Sequence, residues 1–213
     1  MATSSDFSNP ADKSTPGGYT PSQTAFLLLD FHNLFVQQAG GPNARFACET
    51  AAKFRTWAKS QGMHVIHCLI DLEGTPFPTC KNPSRFMSIS SAMKVAEGGG
   101  GEPFVLTQDL GEDEATFTRR PGHVSALKSP GLEEYLQKNG IKSLVLSGLS
   151  TSGCVLRTAF AACDAEYVVT VLSDGCADSK QDVHDIVITT LLTNRGYVTS
   201  ADEFMEEFAK GSG

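Results

Sequence analysis

The sequence has 213 residues, of which 40% are hydrophobic, and it carries a formal net charge of −7 at pH 7. This length and apolar content suffice for one α/β domain with a sizeable core. The negative charge, without any cluster of Lys and Arg, argues against a nucleic-acid or anionic-membrane partner. No apolar run approaches the roughly 20 residues that a membrane-spanning helix needs.

The cysteines and the N-terminus bear on the compartment. Six cysteines are scattered along the chain without a C-x-x-C pair, and the opening stretch MATSSDFSNPADKS has no apolar run typical of a signal peptide. A chain of this size needs no disulfides to fold. We therefore expect free thiols in a reducing, cytoplasmic compartment.

The first part of the chain alternates between strand and helix patterns. Residues 1–22 are rich in Ser, Pro, Gly and Asp, which predicts a flexible N-terminal arm ahead of a domain over residues 23–210. The apolar run TAFLLLD predicts a buried strand over Thr24–Asp30, and MHVIHCLI predicts another over Met63–Ile70. Apolar residues at helical spacing predict a helix between them, over Asn43–Gly62.

Residues 71–111 carry weaker signals, with several prolines and a glycine run at Gly98–Gly101. We interpret this region as an excursion over the site, with one short helix around Ser84–Ala96. The glycine run lacks the spacing and the Lys-Ser/Thr pair of a phosphate-binding loop, so it predicts a flexible turn.

The alternation resumes in the second half of the chain. Strands are predicted over Ala115–Arg119, Ile141–Gly148, residues 166–174 and residues 197–200, and helices over residues 129–140, Cys154–Ala165, Ser179–Asn194 and Ala201–Ala209. Helices of this length between strands imply parallel pairing through right-handed crossovers.

Three chemically active residues follow predicted strands. Asp30 ends the first strand, Arg119 ends the third, and Cys154 comes shortly after the fourth. Sites in parallel sheets form beyond the carboxyl ends of the strands, so these side chains should converge as base, electrostatic stabiliser and nucleophile. Because a helix N-terminus favours an anion, we expect the pKa of Cys154 to be lowered and this thiol to alkylate before the others.

The segments LLLDFHNLF and FTRRPGHVSALKS, and above all GLSTSGCVLRTA, resemble the isochorismatase-like cysteine hydrolases over about residues 24–200. That family includes nicotinamidases, N-carbamoylsarcosine amidase and isochorismatase. The resemblance implies an α/β fold, a three-layer α-β-α sandwich with a six-stranded, mostly parallel sheet. It also implies an Asp, Lys, Cys triad, in which Asp30 matches the base and Cys154 the nucleophile. A cis peptide would fall at Leu149–Ser150, turning the N–H groups of Ser150 and Cys154 toward the substrate oxygen.

The chain departs from the family pattern at the lysine. Where the family has Thr-Lys, this sequence has Thr118-Arg119, which makes Arg119 the first candidate for the lysine's place and Arg120 the second. A guanidinium keeps its charge but cannot exchange protons, so electrostatic stabilisation would survive the replacement. The alternative is that Arg119 is a surface cation beside neighbouring acidic residues.

Four further residues are candidates for the substrate pocket, namely His32, Phe35, Arg120 and His123. A solvent-exposed loop position is the alternative for His123. His32 stands two residues after Asp30, but zinc and iron sites need at least three converging ligands, and the metal-binding His pair of nicotinamidases is not visible in IDLEGTPFPTCK. We expect neither a metal nor another cofactor.

Three functions compete at this point. The first is hydrolysis of a small amide through a thioester at Cys154, the second is hydrolysis of isochorismate, and the third is a non-catalytic binding protein that keeps the fold. The presence of Cys154 favours the first, and the missing lysine gives weight to the third. The expected partners are a small-molecule substrate and further copies of the chain, since relatives often form homodimers or homotetramers.

Overall fold

The computed structural model describes residues 9–111 and 113–211. Its centre is a single sheet of six strands that pair in parallel throughout, in the order β3-β2-β1-β4-β5-β6. The strands are β1 Thr24–Leu29, β2 His64–Ile70, β3 Glu114–Arg119, β4 Ser143–Leu149, β5 Val168–Ala177 and β6 Tyr197–Thr199. The predicted six-stranded sheet is confirmed.

Helices connect the strands. The α-helices are α1 Ala44–Gln61, α2 Pro83–Val95, α3 Phe104–Thr107, α4 Leu132–Lys138, α5 Leu156–Asp164, α6 Gln181–Ile186 and α7 Ala201–Gly211. Shorter 3₁₀ turns cover Pro16–Gly18, Pro21–Gln23, Ala126–Lys128 and Leu192–Asn194, and π-helical turns cover Phe35–Ala39, Thr151–Val155 and Val187–Leu191. Within the described part of the chain, no helix combines the length and apolar character needed to cross a bilayer.

Both faces of the sheet are covered, as the alternation of side chains along β1 shows. Phe26 points into a core that includes Phe54 of α1 and Phe204 of α7, and the rings of Phe26 and Phe54 lie 4.7 Å apart. Leu27 points the other way, into a core that includes Leu136 of α4 and residues of α5. The sheet is thus the middle layer of a three-layer sandwich, because successive side chains of β1 are buried in the cores on its two faces.

The order of the strands positions the site. The chain winds outward from β1 through β2 to β3, and then returns to place β4 on the free side of β1 before winding outward again. A crevice forms at the carboxyl ends of the strands where the winding direction reverses, here between β1 and β4.

Residues 9–22 fold against the domain, which differs from the flexible arm predicted over residues 1–22. Thr15 is 3% exposed, the Lys13 ammonium donates to the Gly18 carbonyl, and the Tyr197 hydroxyl donates to the Ser14 carbonyl at 3.2 Å. The composition of this segment prevents it from forming a core of its own, but it can still pack on the sheet. Residues 1–8 lie outside the described residues.

Candidate active site

Asp30 stands where β1 leaves the sheet. Its backbone adopts the left-handed conformation, with φ of 57°, which Asp tolerates better than most residues that carry a Cβ atom. Its N–H still donates to the Cys68 carbonyl of β2 at 2.9 Å. Asp30 is 3% exposed, and a charged group buried to this extent is costly unless a partner of opposite charge lies beside it.

Arg119 supplies that partner from the end of β3. Its Nη1 and Nη2 donate to the two carboxylate oxygens of Asp30 at 2.8 and 2.5 Å, and its Nε donates to the His123 carbonyl at 3.0 Å. Since β3 lies two strands from β1, about 10 Å away, the side chain crosses the end of β2 to make this bidentate contact. Arg119 is 2% exposed and is not the surface cation of the alternative interpretation.

Arg120 points elsewhere. It is exposed, and its guanidinium donates to the carbonyls of Thr75 and Pro76 at 2.7 and 3.3 Å. Of the two candidate arginines, Arg119 is therefore the one that contacts Asp30.

Cys154 lies in the π-helical turn Thr151–Val155, directly after β4. Gly153 interrupts this turn with non-helical angles, φ −97° and ψ −105°, and the regular helix α5 begins only at Leu156. The peptide bond between Leu149 and Ser150 is cis, at the position that the resemblance implied.

Two polar contacts hold this turn. Asp178, which follows β5, accepts hydrogen bonds from the backbone N–H and the hydroxyl of Ser152 at 2.9 and 2.7 Å. The Thr151 hydroxyl lies 2.8 Å from Nδ1 of His184 in α6. The segment that carries the thiol is thus held by the chain that follows β5.

The thiol of Cys154 is a weak acid in this site. Burial, and next to it the charge of Asp30, raise the pKa of Cys154 to about 12, although the charge of Arg119 acts to lower it. Burial acts to lower the pKa of the Arg119 guanidinium, but the neighbouring acidic groups, Cys154 and Asp30, raise it. The expectation of a lowered pKa for Cys154 is wrong, because this thiol is 4% exposed and precedes the regular helix, and its alkylation before the other thiols stays a prediction.

His32 and Asn33 hold the glycine run. The Ile70 N–H donates to Nε2 of His32 at 3.1 Å, so the ring proton lies on Nδ1, which contacts the Gly100 carbonyl at 2.7 Å. Asn33 Nδ2 donates to the Gly98 carbonyl at 3.3 Å, and a Cβ atom on Gly98 would lie 2.5 Å from that nitrogen. The predicted turn is packed against the chain that follows Asp30, and both nitrogens of His32 have backbone partners.

Phe35 contacts His32, and His123 contacts Arg119. The Phe35 ring stands edge-on to His32, with centroids 5.8 Å apart. The His123 ring lies 5.0 Å from that of Phe77, while its carbonyl binds Arg119.

Sequence reasoning missed three residues around the nucleophile, Thr158, Asp178 and His184. Thr158 is buried with its hydroxyl oxygen 3.7 Å from Cys154 Sγ, and the spacing of four residues on a helix could have indicated that contact. Asp178 follows a strand that runs to Ala177, three residues beyond the predicted end. No sequence signal links His184 to this site.

A second group of buried charges lies on the α1 side of the sheet. His67 of β2 contacts the Glu102 carboxylate at 2.8 Å and the Glu114 carboxylate at 3.2 Å. Glu114 also binds the guanidinium of Arg55 and, at 2.6 Å, the ammonium of Lys59. Across the described residues, no group of three or more His, Cys, Asp and Glu side chains is arranged to hold a metal ion.

The chain is similar to known proteins over most of its length. It is 23% identical to ureidoacrylate amidohydrolase RutB of Stutzerimonas stutzeri, over 88% of this chain and 84% of that protein. It is 31% identical to a protein of Arabidopsis thaliana named Probable inactive nicotinamidase, over 40% of this chain and 44% of that one. A solved cysteine hydrolase of Pseudomonas syringae pv. phaseolicola has the same fold, with a TM-score of 0.76 and 18% identity over 91% of this chain and 95% of that one.

A match between the sequence and a family model establishes the family of this chain. The family model of the isochorismatase domain matches residues 24–203, which include Asp30, Arg119 and Cys154. The chain therefore belongs to the isochorismatase family of hydrolases.

Proposed function

We propose that this chain hydrolyses the C–N bond of a small amide through a thioester at Cys154. One observation carries the proposal, namely the buried pair of Asp30 and Arg119 set against a buried thiol at the reversal point of the sheet. The name of the RutB relative, an amidohydrolase, supports amide chemistry.

The first half-reaction begins from a protonated thiol, because the pKa of Cys154 is raised to about 12. As sulfur attacks the amide carbon, the Asp30 carboxylate takes the thiol proton and the carbonyl oxygen becomes negative. The N–H groups of Ser150 and Cys154 are the proposed donors to that oxygen. The C–N bond then breaks, Asp30 returns the proton to the leaving nitrogen, and ammonia or an amine departs.

Water completes the reaction. It attacks the thioester carbon and gives a proton to Asp30, after which the C–S bond breaks and the proton returns to sulfur as the acid leaves. Arg119 exchanges no proton in either half, and its fixed charge keeps Asp30 in place while charge develops around it.

Intact-mass measurement after exposure to a panel of small amides, including ureidoacrylate and nicotinamide, tests this proposal. A substrate is expected to release ammonia or an amine and to add an acyl group that maps to Cys154, and Cys154→Ser is expected to acquire no thioester. A folded protein that forms no adduct and releases no nitrogen product across the panel would contradict the proposal.

A non-catalytic role is the second candidate. Arg119 stands where the family has lysine, and the Arabidopsis relative is named as inactive. Under this alternative the site binds a small molecule without turnover, so a panel compound would raise the melting temperature and be recovered unchanged.

Isochorismate belongs in the same panel, because its hydrolysis by Cys154→Ser would indicate vinyl ether chemistry that needs no thiol.

A further inference from the structure

Thr158 lies in α5, four residues after Cys154 of the preceding π-helical turn. Its side chain is fully buried, and its hydroxyl oxygen lies 3.7 Å from Cys154 Sγ. The same oxygen accepts a hydrogen bond from the Ala126 N–H at 2.9 Å. Ala126 belongs to the loop that follows Arg119, so this hydroxyl lies between two parts of the site.

The contact with Ala126 sets the direction of the hydroxyl proton. A hydroxyl has one proton and two lone pairs, and the Ala126 N–H can only donate, so it occupies a lone pair. Helical threonines often bond the carbonyl four residues back, as Thr56 and Thr189 do at 3.1 and 2.7 Å. Among the described residues, the partners of the Thr158 hydroxyl are instead Ala126 and the Cys154 sulfur.

We infer that Thr158 is a further residue of the catalytic centre, whose hydroxyl donates a hydrogen bond to the Cys154 sulfur as that sulfur loses its proton. The inference rests on the proposed function, in which the thiol becomes an anionic nucleophile. A thiolate carries no proton, so the hydroxyl must be the donor in this pair once the thiol is deprotonated.

The donor matters because the nearby cation makes no hydrogen bond to the sulfur. Three N–H groups of Arg119 donate to the Asp30 carboxylate and the His123 carbonyl, and among the described residues none donates to Cys154. Arg119 supplies charge to the site, while Thr158 supplies a hydrogen bond to sulfur. In a site that excludes water, such a bond stabilises the anion more than the neutral thiol.

The rate at which iodoacetamide alkylates Cys154, followed by peptide mapping between about pH 7 and about pH 9, tests this role. Below its pKa the thiolate fraction falls about tenfold for each unit by which the pKa rises. Thr158→Val keeps the shape and removes the donor, so the rate at each pH should fall about tenfold or more, the value of a hydrogen bond to a charged group. Thr158→Ser keeps the donor and should stay within about threefold of the parent.

Thr170→Val is the matched control. Thr170 is a buried threonine of β5 whose hydroxyl has no hydrogen-bond partner among the described residues, so its removal should leave the alkylation rate unchanged. If Thr158→Val does not fold, Thr158→Ala serves for the same comparison. Parent rates in the valine or alanine variant, or equal losses in the serine and valine variants, would overturn the inference.

The alkylation assay needs no substrate, so it separates this inference from the proposed function. Slow alkylation of Thr158→Val together with no acyl adduct in the parent would support the hydrogen bond from Thr158 to the sulfur and reject the thioester. An acyl adduct that forms in Thr158→Val at the parent rate would reject the inference and leave the thioester intact.

Discussion

At the scale of single residues, the pair of Asp30 and Arg119 dominates the site. Both side chains are almost fully buried, and the fork of the guanidinium matches the two carboxylate oxygens. A buried pair of this kind adds little net stability, but removing one partner leaves a charge without compensation. The pair is therefore expected to respond strongly to substitution on either side.

Arg119→Met should slow alkylation of Cys154 by roughly tenfold at a fixed pH, because the charge that lowers the thiol pKa is lost. It should also lower the free energy of unfolding by about 3–5 kcal/mol, since Asp30 remains buried without a partner. Arg119→Lys should lie between parent and methionine variant. Arg120→Met, which removes an exposed arginine, is the control and should match the parent in both measurements.

Asp30→Asn should change two rates in opposite directions. The charge of Asp30 raises the pKa of Cys154, so its removal should speed alkylation of the thiol at neutral pH. Amide turnover should fall by about 10²–10⁴, the usual cost of a lost general base. Both rates are measured on one preparation, and a parallel fall in the two would argue that the variant damages the site rather than the base.

The positions of these residues could be predicted from the sequence, but the pKa of Cys154 could not. Asp30, Arg119 and Cys154 could be found because each follows a strand of a parallel sheet, and such positions meet at one edge. The raised pKa of Cys154 could not be found, because it depends on burial and on a charge from another strand. The pattern around Cys154 indicated a helix start and gave no sign that Gly153 displaces the regular helix to Leu156.

At the scale of elements, the turn Thr151–Val155 depends on α6 and on the end of β5. Asp178→Ala should remove the acceptor for Ser152 and lower the free energy of unfolding by about 1–2 kcal/mol, as lost caps do. Turnover should fall about tenfold or more, since a small displacement of a nucleophile is costly. Chemical denaturation and kcat report the two effects.

Asp182→Ala is the control for that variant. Asp182 is exposed in the first turn of α6 and, among the described residues, accepts only from the N–H of the next residue, so neither stability nor kcat should change much. A kcat of Asp178→Ala equal to that of the parent would mean that the turn keeps its shape without this contact.

Element boundaries were less predictable than element types. The helix predicted over Ser179–Asn194 is divided into α6, the π turn Val187–Leu191 and the 3₁₀ turn Leu192–Asn194. Hydrophobic spacing predicts the buried face that these pieces share, but it does not show where the backbone hydrogen bonds change from the α pattern to the π and 3₁₀ patterns. The predicted helix around Ser84–Ala96 corresponds to α2 within one residue at each end.

At the scale of the whole molecule, the buried charges around His67 tie the excursion of residues 71–111 to the sheet. Burial would lower the pKa of His67, but Glu102 and Glu114 raise it. Burial would also raise the pKa of Glu114, yet hydrogen bonds, the largest from Arg55, lower it from 4.5 to about 2. Sequence reasoning could not find this cluster, because its members come from separate elements that only the finished fold brings together.

This cluster predicts how stability depends on pH. Because the folded-state pKa of His67 lies above its ordinary value of 6.5, its contribution is complete below that pH and is lost as the pH rises through the raised value. The contribution of Glu114 is complete above 4.5 and is lost as the pH falls toward about 2. Denaturation at about pH 5.5 and about pH 8.5 should therefore show a loss of stability at the higher pH that His67→Gln reduces.

His64→Gln is the matched control, on the same strand. Burial lowers the pKa of His64, so its contribution has the opposite sign and is lost as the pH falls. The loss at high pH should persist in this variant. An equal change in stability between the two pH values in the parent and in His67→Gln would contradict the protonated state of His67.

The reversal of the winding direction between β1 and β4 has a consequence for the protein while it is being synthesised on the ribosome. Asp30 follows β1 and Arg119 ends β3, which are made first, and Cys154 follows the later strand β4. A chain that ends at Lys138 contains Asp30 and Arg119 but lacks Cys154, the proposed nucleophile. Under the proposed mechanism the site is complete only when β4 pairs with β1 and brings Cys154 to it, so a chain terminated before β4 should hydrolyse no amide.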